Sequence, residues 1–129
     1  MNMTILFLVG RVLFGGYFIM NGLNHFMKMG MMKNYASSKG VPVAGLAVGV
    51  TGLMILLGGL GILLGVYVQF SVLLLVIFLI FVTFKMHNFW AITEPNMKMM
   101  ETVNFYKNMA LLGAVLMILF IPLPWVYSF

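Results

Sequence analysis

The chain has 129 residues, 64% of them hydrophobic and 7% charged, with a mean hydropathy of +1.14. A soluble domain of this length needs nearer a quarter of its residues charged, so lipid is the expected solvent. A disordered tail, a secreted disulfide scaffold, a soluble enzyme and a classical nucleic-acid binder are excluded. The net charge of +5 comes from seven scattered basic residues that form no phosphate-tracking stripe, and the absence of cysteine removes thiol redox chemistry and thiolate metal sites.

Four apolar stretches reach the roughly 20 residues that a membrane-crossing helix needs. They cover residues 3–26, 43–65, 68–86 and 103–125. The expected fold is an all-α integral membrane protein, a four-transmembrane-helix bundle with antiparallel neighbours, in one domain over 1–129. The first stretch lacks the basic start and small-residue cleavage site of a signal peptide. Almost nothing separates the second from the third, so a tight hairpin is expected at residues 65–68.

Polarity gathers in two loops, 27–42 and 87–102. With four crossings both fall on one membrane face, on or next to Lys28, Lys33, Lys39, Lys85, Lys98 and Lys107. The positive-inside rule makes both loops cytoplasmic and puts both termini outside. In the second loop Thr93 or Glu94 can cap a helix and Pro95 suits its first position. The fourth helix is therefore expected to begin before the membrane.

Side chains three and four apart share a helix face. In the first span that rule puts Arg11, Gly15, Phe18, Gly22 and His25 on one stripe. A charge that deep should face the bundle interior, either bonding backbone carbonyls or anchoring a polar head. The second span carries Gly45, Gly49, Gly52 and Gly59 on one face and Gly58, Gly61 and Gly65 on another, spacings that let helices approach closely. The fourth opens with Glu101, Asn104, Lys107 and Asn108 within one arc.

These faces predict a pocket at the cytoplasmic end lined by His25, His87, Asn88, Glu101, Lys107 and Asn108, with Arg11 deeper. The alternative is a hydrogen-bond network that only ties helix ends together. Two histidines at one depth could suggest haem, and methionines beside them, Met27 to Met32 and Met97 to Met100, could suggest copper. Methionine is also an ordinary flexible filler, so no metal and no catalytic residue is assigned.

Four segments in order resemble the DoxX family of small membrane proteins: G-R-V-L-F-G-G-Y-F-I-M-N-G-L-N-H-F at 10–26, the glycine-rich second span, K-M-H-N-F-W at 85–90, and N-F-Y-K-N-M-A-L-L-G-A-V-L at 104–116. Arg11, His87, Lys107 and Asn108 carry the family pattern, whereas His25 stands where many relatives have lysine or another polar residue. The resemblance implies a four-helix bundle associated with membrane redox. The function expected from it is an accessory subunit of a membrane oxidoreductase complex in a prokaryotic cell membrane, holding a quinone or lipid and inactive in isolation. Its partners would be membrane lipid and other subunits or copies of itself. A structural assembly protein is the alternative. A small transporter ranks third, because the first span holds Arg11 where proton-coupled exporters need an acid.

Overall fold

Helix α1, Met3–Met27, buries Arg11, Gly15, Phe18 and Gly22, the stripe that the spacing predicts. The computed structural model describes residues 3–129, which contain helices and turns and no strand. The remaining helices are α2 (Met29–Ser38), α3 (Ala44–Leu64), α4 (Val68–Met86) and α5 (Pro95–Ile118), with a single 3-10 turn at Phe89–Ala91 before α5.

The stripe on α1 is made of glycines because α3 crosses it backbone to backbone. A Cβ on Gly15 would lie 2.7 Å from the Gly59 carbonyl oxygen, and one on Gly59 would lie 2.7 Å from that of Gly15. A second crossing sets Gly22 against Gly52, where a Cβ on Gly22 would meet the Gly52 carbonyl oxygen at 2.9 Å. The other glycine face of α3 meets α4: a Cβ on Gly58 would come 2.7 Å from Leu75 Cδ2, and Gly61 lies against Ser71. Close approach without side chains lets dispersion hold helices together where lipid supplies no hydrophobic drive. Both glycine faces of α3 therefore pack within the chain.

Only Gly65 to Tyr67 separates α3 from α4. Gly65 takes φ +71° at the end of α3, a left-handed conformation that costs glycine little. Phe18, Ile55, Ile62, Leu75, Phe78, Leu79, Val115 and Trp125 form the main core. The outward surfaces remain apolar, as at Leu13 (70% exposed) and Met117 (74%), which suits lipid rather than water.

Two expectations need correction. The 27–42 segment contains a helix, α2, instead of being a loop throughout. Met29, Met32 and Ala36 share one face and pack with Val41, Ala44, Val48 and Met86, while intervening Lys33 and Asn34 disguise the pattern. The helix in the fourth stretch starts early, as expected, but stops at Ile118 instead of running on to residue 125. Pro122 explains this, because its ring would clash with the carbonyl of residue 118 and it has no N–H to donate. Among the described residues three runs are long and apolar enough to cross a membrane: α1, α3, and α4 continued through Ala91. In α5 only Met109–Ile118, roughly 15 Å of helix, is free of strongly polar side chains.

Candidate ligand cavity and the Glu101 cluster

Glu94 begins α5 as its cap, accepting from the Asn96 N–H at 3.1 Å and the Met97 N–H at 2.7 Å, with Pro95 at the first helical position. This start sets the rotation of α5 and turns Glu101, Asn104 and Asn108 inward. Glu101 is 2% exposed, yet both its oxygens are fully occupied. Oε1 accepts from Asn104 Nδ2 at 2.9 Å and pairs with His87 Nδ1 at 3.2 Å. Oε2 accepts from the Tyr35 hydroxyl and lies 3.4 Å from Lys39 Nζ. Tyr35 also reaches the Met86 carbonyl at 3.3 Å, and Lys39 donates to Asn88 Oδ1 at 3.2 Å. One carboxylate thus ties the end of α4 and the α2 segment to α5.

Burial alone would push the Glu101 carboxyl upward. Hydrogen bonds from Tyr35 and Asn104, with the charge and hydrogen bond of His87, outweigh it and hold the group below its ordinary range. Tyr35 moves the opposite way: burial raises its phenol first, and the Glu101 hydrogen bond and charge raise it further. The cluster therefore keeps an ionised carboxylate and a neutral phenol at neutral pH.

Beside this cluster lies a cavity of about 310 Å³. Its deep walls are apolar (Phe18, Val48, Phe78, Leu79, Leu111), and its polar lining comprises Asn21, His25, Tyr35, Thr51, His87, Asn104, Lys107 and Asn108. A volume near 300 Å³ with a few convergent polar groups is the size and character of a small-ligand site. His25 Nδ1 is 2.8 Å from the Asn21 carbonyl oxygen, so that nitrogen carries the proton in the neutral ring. His87 Nδ1 faces Glu101 in the same way. Neither Nε2 has a partner within the chain among the described residues. Asn108 is only 5% exposed and its amide makes no hydrogen bond within the chain. Its amide atoms open onto the cavity, where a ligand or water can meet them, whereas the sealed side-chain atoms without a partner among the described residues are Thr83 Oγ1 and Trp125 Nε1. Lys107 has no carboxylate partner and sits over the Tyr17 ring, 5.7 Å from its centroid.

Of the seven residues expected to form the site, His25, His87, Lys107 and Asn108 line the cavity. Glu101 stands behind it as the anchor of the cluster, and Asn88 joins only through Lys39. Arg11 does not belong to the site. It is 3% exposed near the other end of α1, where Nε donates to the Ile62 carbonyl at 3.3 Å and Nη2 to those of Leu63 at 2.8 Å and Tyr127 at 3.1 Å. Nη1 donates to the Val126 carbonyl. In the structure Arg11 is thus a carbonyl-bonded group, where the sequence reading set it as the deep member of the pocket. It caps the electronegative end of α3 and seats the tail, with Phe7 and Trp125 flanking its guanidinium at 5.6 and 5.5 Å. Tyr35 and Lys39 are the cluster members that the sequence reading missed. Their i, i+4 spacing would place them together on a helix, but the segment read as a loop. Among the described residues no three of His, Asp and Glu converge as metal ligands.

The model of the DoxX family matches residues 6–88, well over half of the chain. The chain belongs to the DoxX family. With its apolar helices, membership makes it a small integral membrane protein. The matched residues end at Asn88, so α5 with Glu101, Lys107 and Asn108 lies beyond them. No curated protein and no solved structure matches the chain.

Proposed function

We propose that this DoxX-family chain is an accessory subunit of a membrane oxidoreductase complex, with no activity in isolation, whose cavity holds a quinone or a lipid-like molecule. The observation that supports the ligand is Asn108, an amide with no partner in the chain that opens onto a mostly apolar cavity also lined by Lys107. A quinone carbonyl accepts hydrogen bonds and its tail needs an apolar wall; Asn108 and Lys107 donate, and Phe18, Phe78 and Leu79 supply the wall. The subunit role rests on family membership and on a surface with little polar area for a chain acting alone.

In this reading α5 and its tail make a fourth crossing, neighbouring helices run antiparallel, and residues 1–129 form one membrane domain. The lysine bias places α2 and the 87–102 connection in the cytoplasm of a prokaryotic cell, with both termini outside. Other subunits, or further copies of the chain, complete the assembly.

Gentle purification followed by lipid extraction should return quinone at near the molar amount of protein. Asn108→Leu should abolish rebinding of a short-chain ubiquinone analogue while helicity is retained. An extract without quinone, together with no binding of the analogue, would dismiss the ligand. Affinity purification that recovers no redox partner would dismiss the subunit role.

A further inference from the structure

The helices do not close a ring. α1 packs along α3, α3 along α4 and α4 along α5, but α1 and α5 share no comparable interface. From Phe7 to Met27 no hydrogen bond or ion pair joins α1 to α5. Two voids lie along this seam. The ligand cavity has Tyr17 and Asn21 on one side and Lys107 and Asn108 on the other. A second void of about 290 Å³ lies between Gly10 of α1 and Ile118 of α5. A cation–π contact of Lys107 with Tyr17, both exposed residues, spans the seam.

At the end of the cavity next to the Glu101 cluster the wall is α2. Met32 and Ala36 line the cavity, Ala36 is 6% exposed, and Tyr35 fastens the helix to Glu101 and to the end of α4. The outer flanks of the seam, Leu13 and Met20 on α1 with Val103 on α5, are apolar and exposed. Lys107 lies roughly 18 Å along α5 from its start, well below the Glu94 cap. A cation there with only an aromatic ring for company is attracted to any oxygen acceptor that reaches it.

We infer that the cavity is filled sideways from the bilayer, through the seam between α1 and α5, and that Lys107 on Tyr17 is the latch a ligand displaces on its way to Asn108. This rests on the cavity being a ligand site. It narrows the ligand to a membrane-dissolved molecule bearing a carbonyl or carboxylate oxygen on an apolar tail, and turns away water-soluble ones.

The chain has no cysteine, so an introduced thiol is the only one present. Thr51→Cys puts it on the cavity wall with little change in volume, Ala47→Cys repeats the measurement on the same wall, and Leu13→Cys reports the reagent at the lipid face. In phosphatidylcholine proteoliposomes, bilayer-dissolved N-pyrenylmaleimide should label the cavity thiol while the membrane-impermeant cation MTSET, supplied on both sides, does not. Tyr17→Leu or Lys107→Met should raise the maleimide rate at the cavity about threefold or more, as loss of a cation–π contact implies, and leave the Leu13→Cys rate alone. MTSET labelling as fast as maleimide labelling would show filling from water and overturn the inference. So would an unchanged maleimide rate in both latch variants, or a cavity thiol that neither reagent reaches. The labelling needs no quinone, so failure of quinone binding leaves this result standing and is read separately.

Discussion

Arg11 and Glu101 are both buried charges with every major hydrogen-bonding direction satisfied, yet their partners differ in kind. Arg11 is held by four backbone carbonyls, which no substitution removes and no pH titrates. Glu101 is held by four side chains drawn from α2, the end of α4 and α5, three of them able to change charge. The first arrangement is a fixed pin at the end of a helix. The second is an adjustable clasp beside the cavity proposed to take a ligand.

Breaking the pin should have the largest effect. Arg11→Leu leaves carbonyls of α3 and the tail without their cation, and a loss of about 3 kcal/mol or more is expected in detergent unfolding. Ligand binding per folded molecule should not change; if it does, the two ends are coupled and the contrast fails. Glu101→Gln comes next, at about 2 kcal/mol, because it removes the carboxylate that Lys39 faces and weakens the hold on Tyr35. Hydrogen exchange should then rise in α2 and stay low where α1 crosses α3.

Acid should separate the two ends further. The Glu101 carboxyl is held below its unfolded value, so its contribution is complete above the ordinary carboxylate range. It is lost as pH falls through that lowered value. The stability gap between the native chain and Glu101→Gln should therefore shrink on acidification, whereas the gap to Arg11→Leu stays constant. A Glu101→Gln gap that does not move with pH would show that the carboxylate carries no net stabilisation.

Asn108→Leu should act against intuition. Replacing a cavity-facing amide that has no partner in the chain by an apolar side chain of similar size should raise the stability of ligand-free protein by up to about 1 kcal/mol. A loss instead would mean that the amide is already satisfied by ordered water. The smallest effect is expected of Tyr35→Phe, about 0.5–1 kcal/mol from one hydrogen-bonded hydroxyl, seen as faster exchange confined to α2.

Local spacing was enough to read the inward stripe of α1, both glycine faces of α3 and the Glu94–Pro95 start of α5, since each depends on neighbours within a turn or two. The stop at Ile118 was within reach too, because Pro122 acts on the residue four before it. The partners of Arg11 were not legible: they are carbonyls 51 to 116 residues away, and a carbonyl has no letter of its own. Tyr35 and Lys39 were lost with α2, a short helix whose apolar face is methionine and alanine interrupted by lysine and asparagine. Half of the Glu101 cluster disappeared with it, so His87 and Glu101 looked like lining residues when Glu101 is the anchor behind the wall.

The pin at Arg11 also bears on how the chain is made. Ile62 and Leu63 can receive the guanidinium as soon as α3 is in place, but Val126 and Tyr127 are synthesised after all four long helices. An arginine that enters the membrane with the first helix must wait, half-satisfied, until the last turn of the fold arrives. Nascent chains interrupted between Gly65 and Trp125 would carry that partly bare cation in lipid.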